Sequence, residues 1–391
     1  MLTLNGGSSS IRFAVYPCTS EKPHLSGKID RIGTAHATLI VDAPDGGAAA
    51  PRRMSGADHP DAASSLLNWL AAQPIFASVC AVGHRVVHGF KHAEPQRITS
   101  ALLAELRRNT AFAPDHLPSE LRLIKAVARR HPRLPQVACF DTSFHRTMPV
   151  VARRIAVPRH YASKGVERYG FHGLSYAFLM EELRRLDPAS SKGRVILAHL
   201  GSGASLAAVS GSRSVDTSMG FTPASGLVMS TRTGDVDPGL AYYFARSAHM
   251  TAPQFQQMVN HESGLLGVSA TSADIRDLLA REHRDTRAAE AVALFCYQVK
   301  KWIGAFAAAL GGVDTLVFAG GIGEHAPVIR ERICAGLDFL DIHVHRARNA
   351  RSAPLISTDR GRVAVRVIRT NEELMIARSV IRVLSLTPRH R

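Results

Sequence analysis

Two arginines stand where a charged side chain needs a partner or a ligand. Arg85 lies inside an apolar run, residues 79–87, that predicts a buried strand, and a charge there is unfavourable unless it is paired or faces a site. For Arg85 alone, a side chain that reaches solvent from a strand end is an equal alternative. Arg232 lies among small residues in the stretch STRTGD, residues 230–235, which gives a bidentate donor room to reach a phosphate or a carboxylate. The two arginines favour a site for an anion.

An aspartate and a histidine occupy positions that face ligands in α/β proteins. Asp141 comes directly after a short predicted strand, residues 135–140, and site residues commonly lie just past the carboxyl end of a strand. His172 lies between an aromatic residue and glycine, just before a helix predicted over residues 174–186. A helix N-terminus attracts anions. A lone histidine is more often structural, so only its neighbours make His172 a candidate.

Glycine-rich turns follow apolar runs at three places, and two of these places have the pattern of a hairpin. The turn GSG (residues 201–203) joins alternating runs at residues 195–198 and 204–209, and its backbone amides can close on an anion. The N-terminus repeats this device around the turn at residues 5–10. Two copies about half a chain apart predict a duplicated domain with a ligand cleft between the halves.

The third glycine-rich turn has a different setting. A strand predicted over residues 314–318 opens into GGIG, and a helix predicted over residues 327–337 follows. Strand, glycine-rich turn and helix form a common arrangement for binding nucleotides.

Two short patterns give acidic residues a structural role at helix starts. Thr370 and Glu373 fit a capping box, which leaves Glu372 as the free carboxylate of that pair. Thr271 and Asp274 fit a second capping box.

Hydrophobic periodicity predicts the remaining elements. The strands are expected at residues 26–32, 37–42 and 363–368, and a loop at residues 45–51. The helices are expected at residues 61–72, 100–110, 118–131, 238–247, 252–260, 273–282 and 287–310, and from residue 372 to about 384. The first of these should place Leu66, Leu67 and Leu70 on one face, and the helix at 287–310 should end at the glycine pair 311–312.

Composition narrows the class of protein. The chain has 391 residues, 46% hydrophobic and 20% charged, so two soluble domains are expected. Five cysteines without a CxxC pattern indicate reduced cytoplasmic residues. Neither an export signal nor a membrane span is predicted. Lysine supplies only eight of the 48 basic residues, the net charge is +16, and the arginines are spread along the chain. Attraction of a polyanionic small ligand accounts for this charge better than a nucleic-acid partner does.

The set of motifs resembles the acetate kinase family of carboxylate kinases, within the actin, sugar kinase and heat-shock ATPase superfamily. The matching motifs run in order from residue 5 to residue 378: NGGSSSIRF, GHRVVHG, CFDTSFH, RYGFHG, HLGSGAS, GLVMSTRTGDVDPG, SGLLGVSATSADIRD, FAGGIGEHA and TNEELMIAR. They cover nearly the whole chain, and several are long enough to be specific.

The resemblance implies a fold and a domain division. The expected fold is α/β, a duplicated two-domain actin-like ATPase (ribonuclease H-like) fold with the nucleotide and substrate cleft between domains. Residues 1–148, with a C-terminal helix at residues 371–391, would form the N-terminal domain, and residues 149–370 the nucleotide-binding domain. The family also implies a cytoplasmic homodimer.

The resemblance also implies roles for individual residues. Asn5 and Glu372 would hold Mg²⁺ or Mn²⁺. Arg85, Asp141, His172 and Arg232 would be catalytic, and Val87, Phe171 and Pro223 would line the acyl pocket. ATP and ADP would bind at Arg12, His199, Gly201, Ser202, Gly203, Asp274, Ile275, Arg276, Gly320, Gly321, Ile322 and Gly323. The implied reaction is reversible transfer of a phosphoryl group from ATP to acetate.

The residue types suit this chemistry independently. A carboxylate substrate has a pKa of about 4 to 5 and is already ionised near neutral pH, so no general base is needed. The obstacle is to bring an anion against a polyphosphate, and two arginines, a histidine and Mg²⁺ supply the positive charge and the donors. Asp141 is therefore expected to orient an arginine, a metal-bound water or the substrate.

Several positions depart from the family pattern. The family usually has lysine at Arg12, asparagine at Ser202 and His325, and glycine at Ser230. Beside the expected acyl pocket, it has Leu-His-Asn-Pro where this chain reads DHLP, residues 115–118. We expect Asp115 to face that pocket, and a carboxylate near the N-terminus of the following helix is the equal alternative.

Two other functions remain open from the sequence. A kinase of the same superfamily that acts on a hydroxyl group would use Asp141 as its base. An ATP-binding protein without transfer activity would need a partner-binding domain, for which the motifs leave no space.

Overall fold

The structure, a computed structural model, describes residues 1–7, 10–32, 37–42, 52–53 and 59–386. The chain divides into two compact units, one formed by Met1–Ser143 with Asn371–Arg391 and the other by Phe144–Thr370. The predicted loop at residues 45–51 and part of the first glycine turn lie outside the described residues. No helix in the described ranges combines the length and apolar character that crossing a bilayer requires.

Helices occur in both units. In chain order, the described ones are α1 (His59–Ala71), α2 (Ser100–Arg108), α3 (Leu117–Arg130), α4 (Val150–Arg153), α5 (Arg159–Ala162), α6 (Gly173–Leu186), α7 (Gly239–Ser247), α8 (Ala252–Gln257), α9 (Gly264–Ser269), α10 (Ile275–Arg281), α11 (Thr286–Leu310), α12 (Gly320–His325), α13 (Pro327–Cys334), α14 (Arg346–Ala350) and α15 (Glu372–Leu384). Short 3₁₀ turns lie at Pro74–Ser78, Thr110–Phe112, Ser143–Thr147, Ser190–Lys192 and Asp338–Leu340, and a π-helical turn at Met258–Glu262.

The first unit contains a mixed sheet. Its described strands are β1 (Leu2–Gly6), β2 (Ile11–Val15), β3 (Leu25–Asp30), β4 (Thr38–Val41), β5 (Arg52–Arg53), β6 (Val82–Val86), β7 (Gln96–Arg97) and β8 (Gln136–Phe140), in the order β5-β4-β3-β2-β1-β6-β8-β7. Strand β1 is antiparallel to β2 and parallel to β6, which is parallel to β8. The carboxyl ends of β1, β6 and β8 therefore meet at one edge, where α/β proteins place their sites.

Helices cover this sheet and form its core. The predicted apolar face of α1 is confirmed, since Leu66, Leu67 and Leu70 are fully buried in a cluster with β1 and β2. Helix α15 packs on β6, where a Cβ atom on Gly83 would overlap the side chains of Ile376 and Val380. Glycine at that position allows the C-terminal helix to approach the sheet closely.

The second unit repeats the arrangement of the central strands. Its described strands are β9 (Arg194–Leu200), β10 (Ala204–Ser210), β11 (Arg213–Thr217), β12 (Thr315–Ala319) and β13 (Ala364–Val367), in the order β11-β10-β9-β12-β13. Strand β9 is antiparallel to β10 and parallel to β12, as β1 is to β2 and β6. Each unit thus has a hairpin beside parallel strands, and the sequence predicted both hairpins.

The long helix α11 provides much of the core of the second unit. Its buried residues include Val292, Phe295 and Val299, and it packs against α9, α10, α13 and β10. The helix ends at Gly311, whose φ of 70° closes it in the predicted manner.

One expected turn is a helix instead. Residues 320–325, predicted as an open glycine turn, form α12 directly after β12. Gly320 begins this helix with φ of 75°, and a Cβ atom there would lie 2.7 Å from the carbonyl oxygen of Leu200. The glycine lets the chain turn against the end of β9, and the helix leaves no loop between the strand and its N-terminus.

Candidate active site

The first unit brings Arg85 and Asp141 together. Asp141 follows β8 and Arg85 lies near the end of β6, so the parallel pairing places them side by side. The Nη2 and Nε atoms of Arg85 donate to Oδ2 of Asp141 at 2.5 and 3.0 Å. Burial alone would lower the pKa of Arg85, but the charges of Asp141, Glu372 and Glu120 outweigh it and the pKa is raised. The prediction that Arg85 is paired or faces a site is therefore confirmed for its pairing.

A third carboxyl group, Glu120, lies near this pair and was not predicted from the sequence. Both its oxygens accept from the backbone N–H of Val87, at 3.1 and 3.2 Å. Glu120 is 4% exposed. Burial raises the pKa of its carboxyl to about 8, and the charge of Arg85 lowers this pKa by a smaller amount. A glutamate in the first turn of a helix usually interacts favourably with the helix dipole. The sequence of α3 therefore gave no sign that Glu120 belongs to the site.

Asn5 contacts two adjacent glutamates at the start of α15. Its Nδ2 donates to Oε2 of Glu372 at 2.8 Å and to Oε1 of Glu373 at 3.1 Å. Burial, and then the charge of Glu372, raise the pKa of Glu373. Arg12 is the register partner of Asn5 in the hairpin, and its charge acts on Glu373 in the opposite direction.

The predicted capping box at Thr370 and Glu373 is wrong. The N-cap is Asn371, whose side chain accepts from Leu374 N at 2.9 Å. Thr370 instead contacts Ser175 through its hydroxyl. An asparagine one residue nearer the helix is an equally good cap, and Glu373 is left to contact Asn5. Glu372 is not the free carboxylate expected, because it also accepts from Asn5.

These groups fit a hard divalent cation. Because the amide nitrogen of Asn5 faces the two carboxylates, its amide oxygen is left as a further hard donor. Mg²⁺ binds proteins through one or two carboxylates and completes its shell with waters and substrate phosphates. In the described ranges no group of three or more His, Cys, Asp or Glu residues forms a fuller cage. The donor set therefore suits Mg²⁺ that arrives with a phosphate ligand.

In the second unit, several groups converge on the turn between β9 and β10. A Cβ atom on Gly203 would lie 3.1 Å from Nε2 of His172 and 3.7 Å from Nη1 of Arg232. A Cβ atom on Gly201 would lie 3.8 Å from Nε2 of His199 and 3.9 Å from Gly321 N. Glycine at both places keeps this space open. The structure thus brings together the predicted anion-binding turn, two histidines, Arg232 and the start of α12.

Ser202 forms the exposed tip of that turn, and Ser230 anchors it. The backbone N–H of Ser230 donates to the carbonyl of Ser202 at 3.2 Å. The turn therefore packs against the segment that carries Arg232.

His172 occupies a strained position before α6. It is the N-cap residue and has φ of 59°, in the left-handed region that costs a non-glycine residue free energy. Its Nδ1 lies 2.8 Å from Oγ of Ser205, and its ring stacks on that of His199 with centroids 4.4 Å apart. Ser205 also lies 2.5 Å from the hydroxyl of Tyr176. Neither Ser205 nor Tyr176 was predicted from the sequence, although a serine within an apolar strand was a usable signal.

Arg232 and Phe171 are each held by backbone contacts. Nη1 of Arg232 donates to the carbonyl of Pro223 at 3.3 Å. The carbonyl of Phe171 lies 3.0 Å from Nε2 of His145, which is fully buried. Burial lowers the pKa of His145 to about 4, so this ring is neutral near pH 7. Val87 and Phe171 are each 1% exposed, in different units.

The start of α12 is held by the buried carboxylate of Glu324, which was also not predicted. Its Oε1 accepts from Gly320 N at 2.9 Å and from Thr370 N at 3.1 Å. The N–H of Gly320 is therefore committed to Glu324. Ile322 and Gly323 are buried, and Gly321 is exposed, so Gly321 is the member of the group best placed to meet a ligand.

The second predicted capping box is also wrong. Asp274 is itself the N-cap of α10, and its side chain accepts from Arg276 N at 2.9 Å. Arg276 folds back onto it, with Nη2 2.5 Å from Oδ2, while Ile275 is buried. The contact with a nucleotide stays a prediction for these three residues.

Asp115 is exposed and lies two residues before Leu117, which is fully buried in the core beside α3. The N-cap of α3 is His116, whose side chain makes no capping hydrogen bond. The orientation of Asp115 toward an acyl group stays a prediction.

Comparisons with known proteins agree along nearly the whole chain. The sequence model of the Acetokinase family matches residues 1–378. An acetate kinase of Rhodopseudomonas palustris is 43% identical over 390 residues, 98% of each chain. A propionate kinase of Citrobacter rodentium is 42% identical over 398 residues, 99% of this chain and 98% of the other.

Solved structures give the same result. A crystal structure of Porphyromonas gingivalis acetate kinase has a TM-score of 0.86 at 34% identity and covers 98% of this chain and 99% of its own. A crystal structure of a propionate kinase from Francisella tularensis has a TM-score of 0.89 at 34% identity, with coverages of 97% and 98%.

The fold and these comparisons define a phosphotransferase with a carboxyl group as acceptor, built on the duplicated actin-like ATPase fold expected. The chain belongs to the Acetokinase family. This family uses ATP as its co-substrate.

Proposed function

We propose that this protein transfers the γ-phosphoryl group of ATP to acetate, reversibly and with Mg²⁺, to give acetyl phosphate and ADP by direct in-line transfer. The observation that carries the proposal is the convergence of His172 Nε2 and Arg232 Nη1 on the Gly203 turn. Preorganised donors around an open turn suit the charge that develops on a transferring phosphoryl group. A full-length relative named as an acetate kinase supports the choice of acceptor.

The catalytic residues are Arg85, Asp141, His172 and Arg232. Arg85 and Arg232 neutralise the acceptor carboxylate and the phosphoryl oxygens, and His172 donates to the transferring group. Asp141 orients Arg85 and takes no proton, because an ionised carboxylate is already a nucleophile near neutral pH. The existing Asp141–Arg85 pair supports this positioning role.

Substrate contacts follow the same assignment. The acyl group contacts Val87, Phe171 and Pro223. The nucleotide contacts Arg12, His199, Gly201, Ser202, Gly203, Asp274, Ile275, Arg276, Gly320, Gly321, Ile322 and Gly323. Gly320 acts through its backbone conformation at the start of α12, because its N–H donates to Glu324.

Asn5 and Glu372 hold Mg²⁺, or Mn²⁺ in its place. The bound cation would neutralise phosphate charge in the transition state. The residues of the chain contribute by holding their oxygens in place, and Asn5 does this by bridging Glu372 and Glu373 through its amide nitrogen.

The domain assignment, like the residue roles, is the one that the family resemblance implies. Residues 1–148 with the C-terminal segment 371–391, which contains α15, form the N-terminal domain, and residues 149–370 form the nucleotide-binding domain. The five free cysteines suit a reducing compartment, and we assign the protein to the cytoplasm.

The working form is a homodimer. Helix α7 has no buried residue in the single chain, and it exposes Tyr242 (72%) and Tyr243 (60%). Exposed aromatic side chains on one helix favour a partner surface. Light scattering on the purified protein, beside a Tyr242→Glu, Tyr243→Glu variant, measures the mass. A dimer that the variant splits supports this assignment, and a monomeric wild type contradicts it.

A hydroxamate assay tests the reaction itself. Purified protein with ATP, Mg²⁺ and acetate, propionate or butyrate should yield an acyl hydroxamate when hydroxylamine traps the acyl phosphate. Propionate is included because a similarly close relative is named as a propionate kinase. Phosphorylation of a polyol without any hydroxamate would overturn the proposal in favour of a hydroxyl kinase.

A further inference from the structure

Ser205 lies between His172 and Tyr176 in a dry part of the second unit. Its Oγ is 2.8 Å from Nδ1 of His172 and 2.5 Å from the hydroxyl of Tyr176. Ser205 and Tyr176 are both 0% exposed. Tyr176 lies one turn along α6 from His172, so both residues present their polar atoms to the same place on β10. The three side chains form a continuous hydrogen-bonded chain.

The other ring nitrogen of His172 faces the glycine turn. Nε2 would be 3.1 Å from a Cβ atom on Gly203, beside Nη1 of Arg232. A phosphoryl group offers only acceptor oxygens, whereas a neutral imidazole donates from one nitrogen and accepts at the other. His172 can donate to such a group only when its proton is on Nε2.

We propose that Tyr176 and Ser205 are positioning residues that set the tautomer and the ring orientation of His172. Tyr176 donates to Ser205, Ser205 donates to Nδ1, and the single proton of the neutral ring is held on Nε2, toward the phosphoryl group. This inference rests on the proposed function, which supplies the anion.

The serine hydroxyl has one proton, so Ser205 donates either to Nδ1 of His172 or to the hydroxyl of Tyr176. The anion decides between these two directions. If Nδ1 donated to Ser205 in a neutral ring, Nε2 would present a lone pair to the anion, which is repulsive. A doubly protonated ring would donate on both sides, but it would stack on His199 and lie beside the charged Arg232. A second positive charge next to Arg232 is unfavourable where solvent is limited. The neutral ring with its proton on Nε2 donates to the anion and adds no positive charge beside Arg232.

Two variants remove the links of this hydrogen-bonded chain, and each has a matched control. Tyr176→Phe keeps the ring, which packs against Phe144 and His145, and removes only the hydroxyl. Its control is Tyr169→Phe, because that hydroxyl donates to Gly165 O, outside the hydrogen-bonded chain. Ser205→Ala has its control in Ser191→Ala, a buried serine whose hydroxyl donates to Pro188 O.

Two-dimensional ¹H–¹⁵N spectra of the imidazole side chains read out the tautomer directly, without substrate. In the wild type we expect the His172 proton on Nε2. In Ser205→Ala we expect a mixture of tautomers, since the donor to Nδ1 is lost. Tyr176→Phe should change the spectrum in the same direction but less. A wild-type proton on Nδ1, or spectra of both variants that match their controls, would overturn the inference.

Kinetics give the second readout. Ser205→Ala should lower kcat about tenfold and Tyr176→Phe about fivefold, the equivalents of about 1.4 and about 1 kcal/mol, with KM for ATP and for the carboxylate nearly unchanged. Equal rates in variants and controls would show that the hydrogen-bonded chain is structural only. If the wild type phosphorylates no carboxylate, the proposed function fails, while the spectra still decide the tautomer.

Discussion

Asp141 holds Arg85 through a single carboxylate oxygen, Oδ2, which accepts from both Nη2 and Nε. The remaining nitrogen, Nη1, lies 3.3 Å from the carbonyl of Gly6, at the end of β1. The side chains are 14% and 0% exposed. The guanidinium is therefore fixed by two neighbouring strands, and its orientation depends on a carboxylate buried with it.

Arg85→Ala should lower kcat/KM at least about a hundredfold, or about 2.7 kcal/mol, because a charge-assisted contact to the reacting groups is lost. It should also destabilise the protein by about 3 to 5 kcal/mol, since Asp141 keeps a buried charge without its partner. Steady-state kinetics and denaturant unfolding measure the two effects. Arg85→Ala with Asp141→Asn should recover part of the stability but none of the activity; recovery of activity would contradict the catalytic role of Arg85.

Arg232→Ala should cause a similar loss of kcat/KM, about a hundredfold. Its loss of stability should be smaller than that of Arg85→Ala, because Nη1 of Arg232 donates to the neutral carbonyl of Pro223 and not to a buried carboxylate. Arg232→Lys should restore little where the contact to phosphate is bidentate. The same kinetic and unfolding measurements apply. Near-normal activity in both alanine variants, of Arg85 and of Arg232, would remove the proposed site.

Glu372→Gln should raise the Mg²⁺ concentration required for activity about tenfold, as the loss of a ligand or its support commonly does. Glu373→Gln should raise it less, because burial already favours the neutral form of Glu373. Direct binding of Mn²⁺, followed by electron paramagnetic resonance without substrate or with ADP, provides a readout apart from activity. A metal requirement that moves only in the Glu373 variant would reverse the assignment.

Glu120 should make the protein less stable as pH rises. Burial raises the pKa of its carboxyl from the ordinary 4.5 to about 8, so between these values the folded chain binds more protons than the unfolded chain. The contribution of Glu120 to the free energy of unfolding is therefore full below about pH 4.5 and is lost as pH rises through about 8.

Glu120→Gln tests this dependence, because glutamine still accepts from Val87 N but does not ionise. Its stability relative to the wild type should rise between pH 5 and pH 8.5, about the window in which the carboxyl ionises. Urea unfolding across that range measures the difference, with Glu290→Gln, an exposed position on α11, as the control. A difference that does not vary with pH would show that Glu120 is ionised in the folded state throughout.

Asp115→Leu should improve kcat/KM for acetate or propionate several-fold, consistent with the roughly 1 to 3 kcal/mol that a methylene-sized change contributes in an apolar pocket. The reason is that an ionised carboxylate near the acyl group would repel the substrate. Hydroxamate kinetics across short carboxylates measure the change. A loss of thermal stability with unchanged acyl kinetics would show instead that Asp115 serves the N-terminus of α3.

Local pattern predicted the central elements well, for a physical reason. The hairpins around residues 5–10 and 201–203, the long helix α11 and the apolar face of α1 depend on alternation, periodicity and glycine stops, which act between residues close in sequence. The motifs that carry the family resemblance are also local. They named Arg85 and Asp141 as site residues, but only the parallel pairing of β6 with β8 brings the two side by side.

Contacts between distant residues were decided by the tertiary structure alone. The capping box at Thr370 is locally acceptable, but Asn371 also caps the helix, and the choice frees Glu373 to meet Asn5 from the opposite end of the chain. Glu120 likewise has an ordinary helix-start pattern until folding buries it against Val87. The hydrogen bonds from Tyr176 through Ser205 to His172 join a helix to a strand. Such roles depend on burial and on a partner's position, and neither quantity is a property of the local sequence.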